Sequence, residues 1–449
     1  MPLRALLLDF NSYFASVEQQ LNPRLRGRPV AVLPVLAETT CCIAASYEAK
    51  RFGVKTGTHV AEARRLCPDI VFVQARPRVY VEMHQRLMQV VDSVIPLGEI
   101  LSIDEVMCEL TGSWQEEAVA VARAREVKRR LLDEVGECLT CSVGIAPNRF
   151  LAKIASNMQK PNGLTVIRES DLPEALFGLA LTDLHGVAGA MQARLERAGI
   201  HTVEALCRAD RETLRRVWGG IEGERMYERL RGLEPALPPT QRASIGHSHV
   251  LPPHLRDEAG AYAVLSKLTQ KAAVRLRAEG YLARRMSVVV EYRDRAAWVR
   301  SARFAPMCST LDFLKLLAAL WAERPRGEPG RTGVPSPPPP PQAGEGPGER
   351  GRPPQQRRTR WEPIKVSVTL WELVAAQAVS ADLFPEADNR AALDAALDRL
   401  RLKYGPKAVY FGGAFGAMQE APMRISFTHV PDLRLEADSA GDMALYEAV

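Results

Sequence analysis

At 449 residues the chain exceeds what one compact core can organise, so several domains are expected. Its 46% hydrophobic and 25% charged residues are those of an ordinary soluble globular protein, and a net charge of +6 permits a polyanionic partner without demanding one. The opening apolar run, Ala5 to Leu8, falls far short of the ~20 residues of a membrane span and lacks the form of a signal peptide, so no membrane partner is expected and the protein is placed in the cytoplasm.

Ala5 to Leu8 reads as a buried strand, followed by a helix from Tyr13 to Leu21 and a Pro/Gly-marked break over 22–29. Val30 to Val35 is a second strand. Residues 46–66 read as mostly helical with a turn around Gly53 and Gly57, and 79–95 as a strong helix. Ile100 to Leu110 reads as one strand, 116–134 as a helix, and 139–145 as a strand leading into a helix near Asn148. This alternation, with carboxylates at the ends of non-adjacent strands, predicts a mixed α/β catalytic domain over the first ~170 residues.

From Leu172 to Leu233 short helices are punctuated by glycine, and Pro235 to Pro239 reads as a linker. Beyond it come a helix over 258–279, two arginine-rich strands over 286–292 and 298–304, a helix over 311–322 and a last strand over 364–370. Residues 324–360 carry five consecutive prolines (337–341) with many Gly and Arg. Such a composition buries too little apolar surface to offset chain entropy, which predicts a disordered insertion within a domain. An amphipathic helix over 389–404 precedes a weakly patterned tail. The eight cysteines are irregularly spaced and read as reduced thiols. Cys138 and Cys141 have the gap of a zinc pair, but no second pair lies near them.

An aspartate ending an apolar strand is costly unless something pairs with it. Asp9 does so, and Asp104-Glu105 does so again within Leu101 to Met107. Hard carboxylates at converging strand ends suit Mg²⁺ with substrate phosphates completing its shell. Adjacent strand residues point to opposite faces, so a strand end or twist is needed to bring both acids to one cation. On composition alone, solvated or salt-bridged acids at loop entrances fit equally well.

The words around these acids are more specific. Asp9-Phe10-Asn11-Ser12-Tyr13-Phe14, Ser46-Tyr47-Glu48-Ala49-Lys50-Arg51-Phe52-Gly53, Ser102-Ile103-Asp104-Glu105 and the block from Ser142 through Lys153 to Ser156, continuing into Lys160-Pro161-Asn162-Gly163, resemble the Y-family DNA polymerases of the bacterial DinB-like type, in the family's order. The resemblance is good over about the first 235 residues and looser after them. It implies an α+β multidomain, right-hand architecture. A ferredoxin-like palm would span 1–14 and 79–170, small fingers 15–78, and a helical thumb with a helix-hairpin-helix 171–236. A linker at 237–245 would lead to an α/β little finger at 246–385, interrupted at 324–360, and a C-terminal tail at 386–449.

The same resemblance implies roles. Asp9 and Asp104, helped by the Phe10 carbonyl, would hold two Mg²⁺ ions, with Glu105 on the ion that activates the primer 3′-hydroxyl. Tyr47, Lys50 and Lys160 would grip the triphosphate, and Phe14 would be the steric gate that excludes a ribose hydroxyl. Two positions depart from the family: Lys50 stands where arginine is usual, unless Arg51 substitutes, and Ala44 replaces a threonine. The implied partners are primer-template DNA and deoxynucleoside triphosphates, with error-prone, translesion copying by a monomer.

His185-Gly186-Val187-Ala188-Gly189 looks like the glycine turn of a helix-hairpin-helix, although Ala188 breaks the usual spacing; an ordinary helix–helix turn fits as well. Between Tyr281 and Phe304 six arginines (284, 285, 293, 295, 300, 303) stand against two acids, and alternation would gather several of them on one face for a DNA backbone, with Arg284, Arg285, Arg300 and Arg303 as the candidates for contact and a solvated strand face as the alternative. Ser380 to Phe384 is similar to a sliding-clamp peptide, with Leu383 and Phe384 as anchors, yet simple packing at a domain edge fits it too. Two rival readings are a catalytically silent adaptor of the same family and another metal-dependent phosphoryl enzyme, such as a nucleotidyl cyclase. The first would have lost its acids, and the second leaves the glycine turn and arginine strands unexplained.

Overall fold

A computed structural model describes residues 2–236, 242–293, 295–324, 362–379, 390–405 and 407–418, with Glu420, Val430, Pro431 and Leu433. The Pro/Gly/Arg tract and the segment holding Leu383 and Phe384 lie outside these residues. Two units result, one made largely of residues 1–239 and one of 240–423. Among the described residues no helix is long and apolar enough to cross a membrane.

In chain order the first unit contains β1 (Ala5–Phe10), α1 (Tyr13–Leu21), β2 (Val30–Leu33), β3 (Ala44–Ala45), α2 (Tyr47–Lys50), α3 (Val60–Leu66), β4 (Val71–Gln74) and α4 (Pro77–Asp92). It continues through β5 (Glu99–Ile100), β6 (Glu105–Glu109), α5 (Glu117–Glu134), β7 (Cys141–Ala146), α6 (Arg149–Met158) and β8 (Leu164–Val166). The short helices α7 (Gly189–Arg197), α8 (Val203–Arg208), α9 (Arg211–Trp218) and α10 (Ile221–Arg229) complete it. One sheet runs β5-β6-β1-β7-β8, and a small one runs β3-β2-β4.

β1 is buried along its whole length because β6 and β7 flank it, which is why it reads as an unbroken leucine run. Its odd residues Ala5 and Leu7 join the core under α6 with Met107 of β6. By the period of a strand, Asp9 points to that same side. α6 lies very close over β7: a side chain at Gly144 would run into the Ala152 carbonyl and the Ser156 amide. Asn148 caps α6 by accepting from the Leu151 amide at 2.8 Å and donates to the Arg229 and Leu233 carbonyls, which ties α10 to the sheet.

Two stretches differ from the sequence expectation. The span read as one strand from Ile100 to Leu110 is a hairpin, β5 and β6, whose turn is closed by the Leu101 and Ser102 amides donating to the Glu105 carbonyl. The span 46–66 is helical only at its two ends, with a glycine-bearing loop between α2 and α3.

The second unit holds β9 (Ser244–Val250), α11 (Glu258–Ala278), β10 (Tyr281–Tyr292), β11 (Arg295–Met307), α12 (Thr310–Ala322), β12 (Pro363–Trp371), β13 (Val374–Ala375) and α13 (Arg390–Tyr404). Its antiparallel sheet runs β11-β10-β12-β9, with β13 on the end of β10. α11 and α12 pack on it through Val264, Leu268, Phe313 and Leu317 against Met286, Val288, Val290 and Val368. α13 is seated by charge: Arg277 of α11 forks onto Asp398 at 2.7 and 2.8 Å and lies 3.5 Å from Asp394. The Thr310 amide donates to Asp394 as well. Leu393, Leu400 and Leu402 of α13 are exposed instead.

Candidate active site

Asp9 near the end of β1 and Glu105 at the start of β6 are direct ladder partners, so both reach the α6 side of the sheet. Lys153 of α6 meets them there, its ammonium 2.9 Å from Asp9 Oδ2 and 2.6 Å from Glu105 Oε1. Lys160 takes the other oxygen, Asp9 Oδ1, at 2.7 Å. Burial works to lower the Lys153 pKa, but Asp9 and Glu105 outweigh it and hold it above the usual lysine value.

Asp104 occupies the hairpin turn, not a strand, which removes the problem of adjacent residues facing opposite ways. The Phe10 amide donates to its carbonyl at 2.8 Å, and the Ser102 hydroxyl donates to its Oδ1 at 2.6 Å. Burial raises the Asp104 pKa, the Ser102 bond opposes that, and the negative charges of Asp9 and Glu105 push it up further. Buried His84 of α4 hydrogen-bonds through Nδ1 to the Ile103 carbonyl at 2.8 Å and so pins this turn from behind.

Lys160 sits on a loop held by buried Asn11 and partly buried Lys128. Asn11 accepts from the Asn162 amide at 2.7 Å and from Thr140 at 3.1 Å, while Lys128 donates to the Cys141, Asn162 and Gly163 carbonyls. Tyr47 and Lys50 come from α2, whose cap is Ser46. Although Lys50 as a residue is exposed, its ammonium lies 4.5 Å over the Tyr47 ring, and burial followed by neighbouring Lys160 lowers its pKa. Burial and the charge of Asp9 raise the Tyr47 pKa. Asp9, Tyr47, Lys50 and Lys160 thus share one electrostatic neighbourhood. Arg51 follows at the end of α2 and is exposed.

Phe14 is buried and stacks on Tyr80 of α4, ring centroids 4.6 Å apart. Tyr80 is tied in turn: its hydroxyl donates to Glu18, which Arg76 grips with two bonds, and its carbonyl accepts from the Tyr13 hydroxyl. At the predicted glycine turn only Gly186 takes a left-handed backbone (φ +87°), and Gly189 opens α7. In the second unit Arg285 and Arg303 face each other across the β10–β11 ladder. Arg300 pairs with buried Val288, so it lies on the helix-covered face near Glu323, while Arg284 sits at a register shift. Arg303 is already forked onto Glu372.

Lys153, Lys128, Asn11 and His84 were not singled out from sequence. Lys153 lay inside a matched block, but a lysine on a helix reads as solvated until the helix is docked.

Among the described residues no three His, Cys, Asp or Glu side chains are gathered tightly enough to hold a metal: Asp9 and Glu105 share Lys153, and Asp104 turns to Ser102. The donor chemistry nevertheless fits a hard divalent cation, since the acids are all oxygen donors and already draw ammonium groups into the space between them.

Two family profiles match: the impB/mucB/samB family over residues 8–157 and the impB/mucB/samB family C-terminal domain over 242–334. DNA polymerase IV of Moorella thermoacetica is 34% identical over 414 residues, covering 90% of this chain and 94% of that one. DNA polymerase IV 1 of Bacillus subtilis is 33% identical over 314 residues, 69% of this chain and 75% of the relative. A Y-family DNA polymerase chimera of Dbh and Dpo4 superposes with a TM-score of 0.63 at 23% identity, over 83% of this chain and 99% of its own, which speaks to the fold. With four motif blocks in order, acids paired across one ladder and a relative matched nearly end to end, the chain belongs to the impB/mucB/samB family, the Y-family polymerases, and is a translesion DNA-directed DNA polymerase.

Proposed function

We propose that the enzyme adds deoxynucleotides to a primer 3′-end through two Mg²⁺ ions held by Asp9, Asp104, Glu105 and the Phe10 carbonyl. When bound, such a pair stabilises the attacking and leaving oxygens of an in-line displacement at the α-phosphate. The protein does the positioning. Glu105 and Asp9 hold their carboxylates side by side across the ladder, and Asp104 adds a third from the turn. Tyr47, Lys50 and Lys160 supply a hydroxyl and two ammonium groups for the triphosphate, and Phe14 lies under the sugar.

In this reading the β5-β6-β1-β7-β8 sheet is the palm, the β3-β2-β4 sheet the fingers, α7 to α10 the thumb and the second unit the little finger. The Gly186–Gly189 turn and the open sheet face that carries Arg285 and Arg303 meet DNA phosphates along primer and template, whereas Arg300, on the other face, does not share that contact. Leu383 and Phe384 would seat in a sliding clamp, and the enzyme works as a cytoplasmic monomer. The observation that carries the reading is the ladder pair Asp9–Glu105 converging with Lys153 and Lys160.

Primer extension with Mg²⁺ tests it. Asp104→Ala is expected to abolish extension while primer-template affinity stays within about twofold, the pattern of a lost transition-state interaction. Extension by that variant at the wild-type rate would remove Asp104 from the chemistry.

A further inference from the structure

Both carboxylate oxygens of Asp9 are spent on ammonium groups, Oδ1 on Lys160 and Oδ2 on Lys153. The Lys153 ammonium continues to Glu105 Oε1, so one positive charge is shared by the two acids that oppose each other on the ladder. Its side chain is 17% exposed, and its helix is fixed by the buried Phe150, Leu151, Ile154 and Ala155. Lys160 differs: among the described acids its ion pair is with Asp9, and it belongs to the Tyr47 and Lys50 neighbourhood. Three carboxylates close together in a partly buried pocket repel one another, and Lys153 is placed to cancel that repulsion. A Mg²⁺ ion requires its oxygens at about 2.0–2.1 Å. An ammonium hydrogen-bonded to the same two oxygens fills the same space, so the two cations exclude each other.

We propose that Lys153 is the site's own counter-ion, holding Asp9 and Glu105 together until a divalent cation displaces it. The inference rests on the reading of these acids as metal ligands. The displaced side chain has room: Lys153 also lines a cavity of about 350 Å³ bounded by Ile154, Asn157 and the loop from Thr182 to Ala188. Affinity for the ion is then a competition set within the chain, and removing the competitor tightens binding.

Mn²⁺ binding to the full-length protein without DNA, followed by loss of the free-ion EPR signal, measures this. Lys153→Met keeps the aliphatic stem and removes the charge; it is expected to bind about tenfold more tightly, the low end for one close unit charge in a partly solvated site. Lys153→Arg, still charged, stays near wild type. Unchanged or weaker binding by a cooperatively melting Lys153→Met overturns the proposal. A second measurement needs no variant: acylation of Lys153 in the wild type, read by peptide mass spectrometry, is slow in EDTA and accelerates with Mn²⁺. Equal rates overturn the proposal too. If Asp9→Asn binds Mn²⁺ as wild type does, the metal-ligand reading is what fails.

Discussion

Phe14 stacks on a Tyr80 ring that is itself held at its hydroxyl by Glu18 and at its carbonyl by Tyr13, so the plane of Phe14 is set by partners on α4 and α1. In the proposed role as steric gate, a ring fixed in this way would not turn aside for an extra hydroxyl on the sugar. Phe14→Ala is expected to raise ribonucleotide insertion relative to deoxynucleotide by about 10²-fold, read from single-nucleotide insertion kinetics; unchanged sugar selection would place the gate elsewhere. Lys50 carries a different kind of load. Its ammonium rests over Tyr47 beside Lys160, a like charge, and in the proposed role would gain most from a triphosphate between them. Lys50→Ala should therefore raise KM for the incoming nucleotide about tenfold with kcat nearly constant, as for a contact made equally in ground and transition states.

At the level of elements, the hairpin turn decides where Asp104 points, and His84 of α4 braces it. Burial lowers the His84 pKa from its ordinary 6.5, while its bond to the Ile103 carbonyl pulls the other way. The folded state then binds fewer protons than the unfolded chain below 6.5. Stability is whole above that value and declines as pH falls towards the lowered one. His84→Gln is expected to flatten this decline, measured as urea midpoints at about pH 7.5 and 5.5. α13 offers a second case. Asp394 is buried where the Thr310 amide donates to it and Arg277 lies 3.5 Å away, so Asp394→Ala leaves a buried amide without its acceptor, while Asp398 still holds the guanidinium, and should cost about 1–3 kcal/mol. Asp398→Ala, at a more exposed position, should cost less in the same denaturation experiment. These elements were unequally legible. The β1 run and the α1 and α6 helices stood out because continuous burial and helical spacing mark themselves in the residue pattern. The β5–β6 turn did not, because the stretch from Ile100 to Leu110 looks like one strand and the turn is closed by the Leu101 and Ser102 amides on the Glu105 carbonyl, bonds that no residue type announces. β4 and β8 are short and only partly buried, so their signal is weak.

On the scale of the whole molecule, two separately organised units divide the labour, one carrying the acids and the other the arginine strands. Sequence alternation foresaw basic side chains there but not how they divide: Arg285 and Arg303 share the open face, and Arg300 is turned to the other. Replacing Arg285 with Ala should weaken DNA binding evenly across sequences and lower the salt slope by about one, measured by fluorescence anisotropy over a salt series. Arg303→Ala should do less, since Glu372 already holds that guanidinium. α13 is fastened in a way that bears on how the second unit finishes folding. A leucine seam tolerates a slip of one turn, because one methyl group fits a groove much like the next. Asp394 and Asp398 stand one turn apart and address a single guanidinium, so α13 has one height and one azimuth at which both are satisfied. α13 is indexed, tooth to notch, with Leu393 and Leu400 left facing outward.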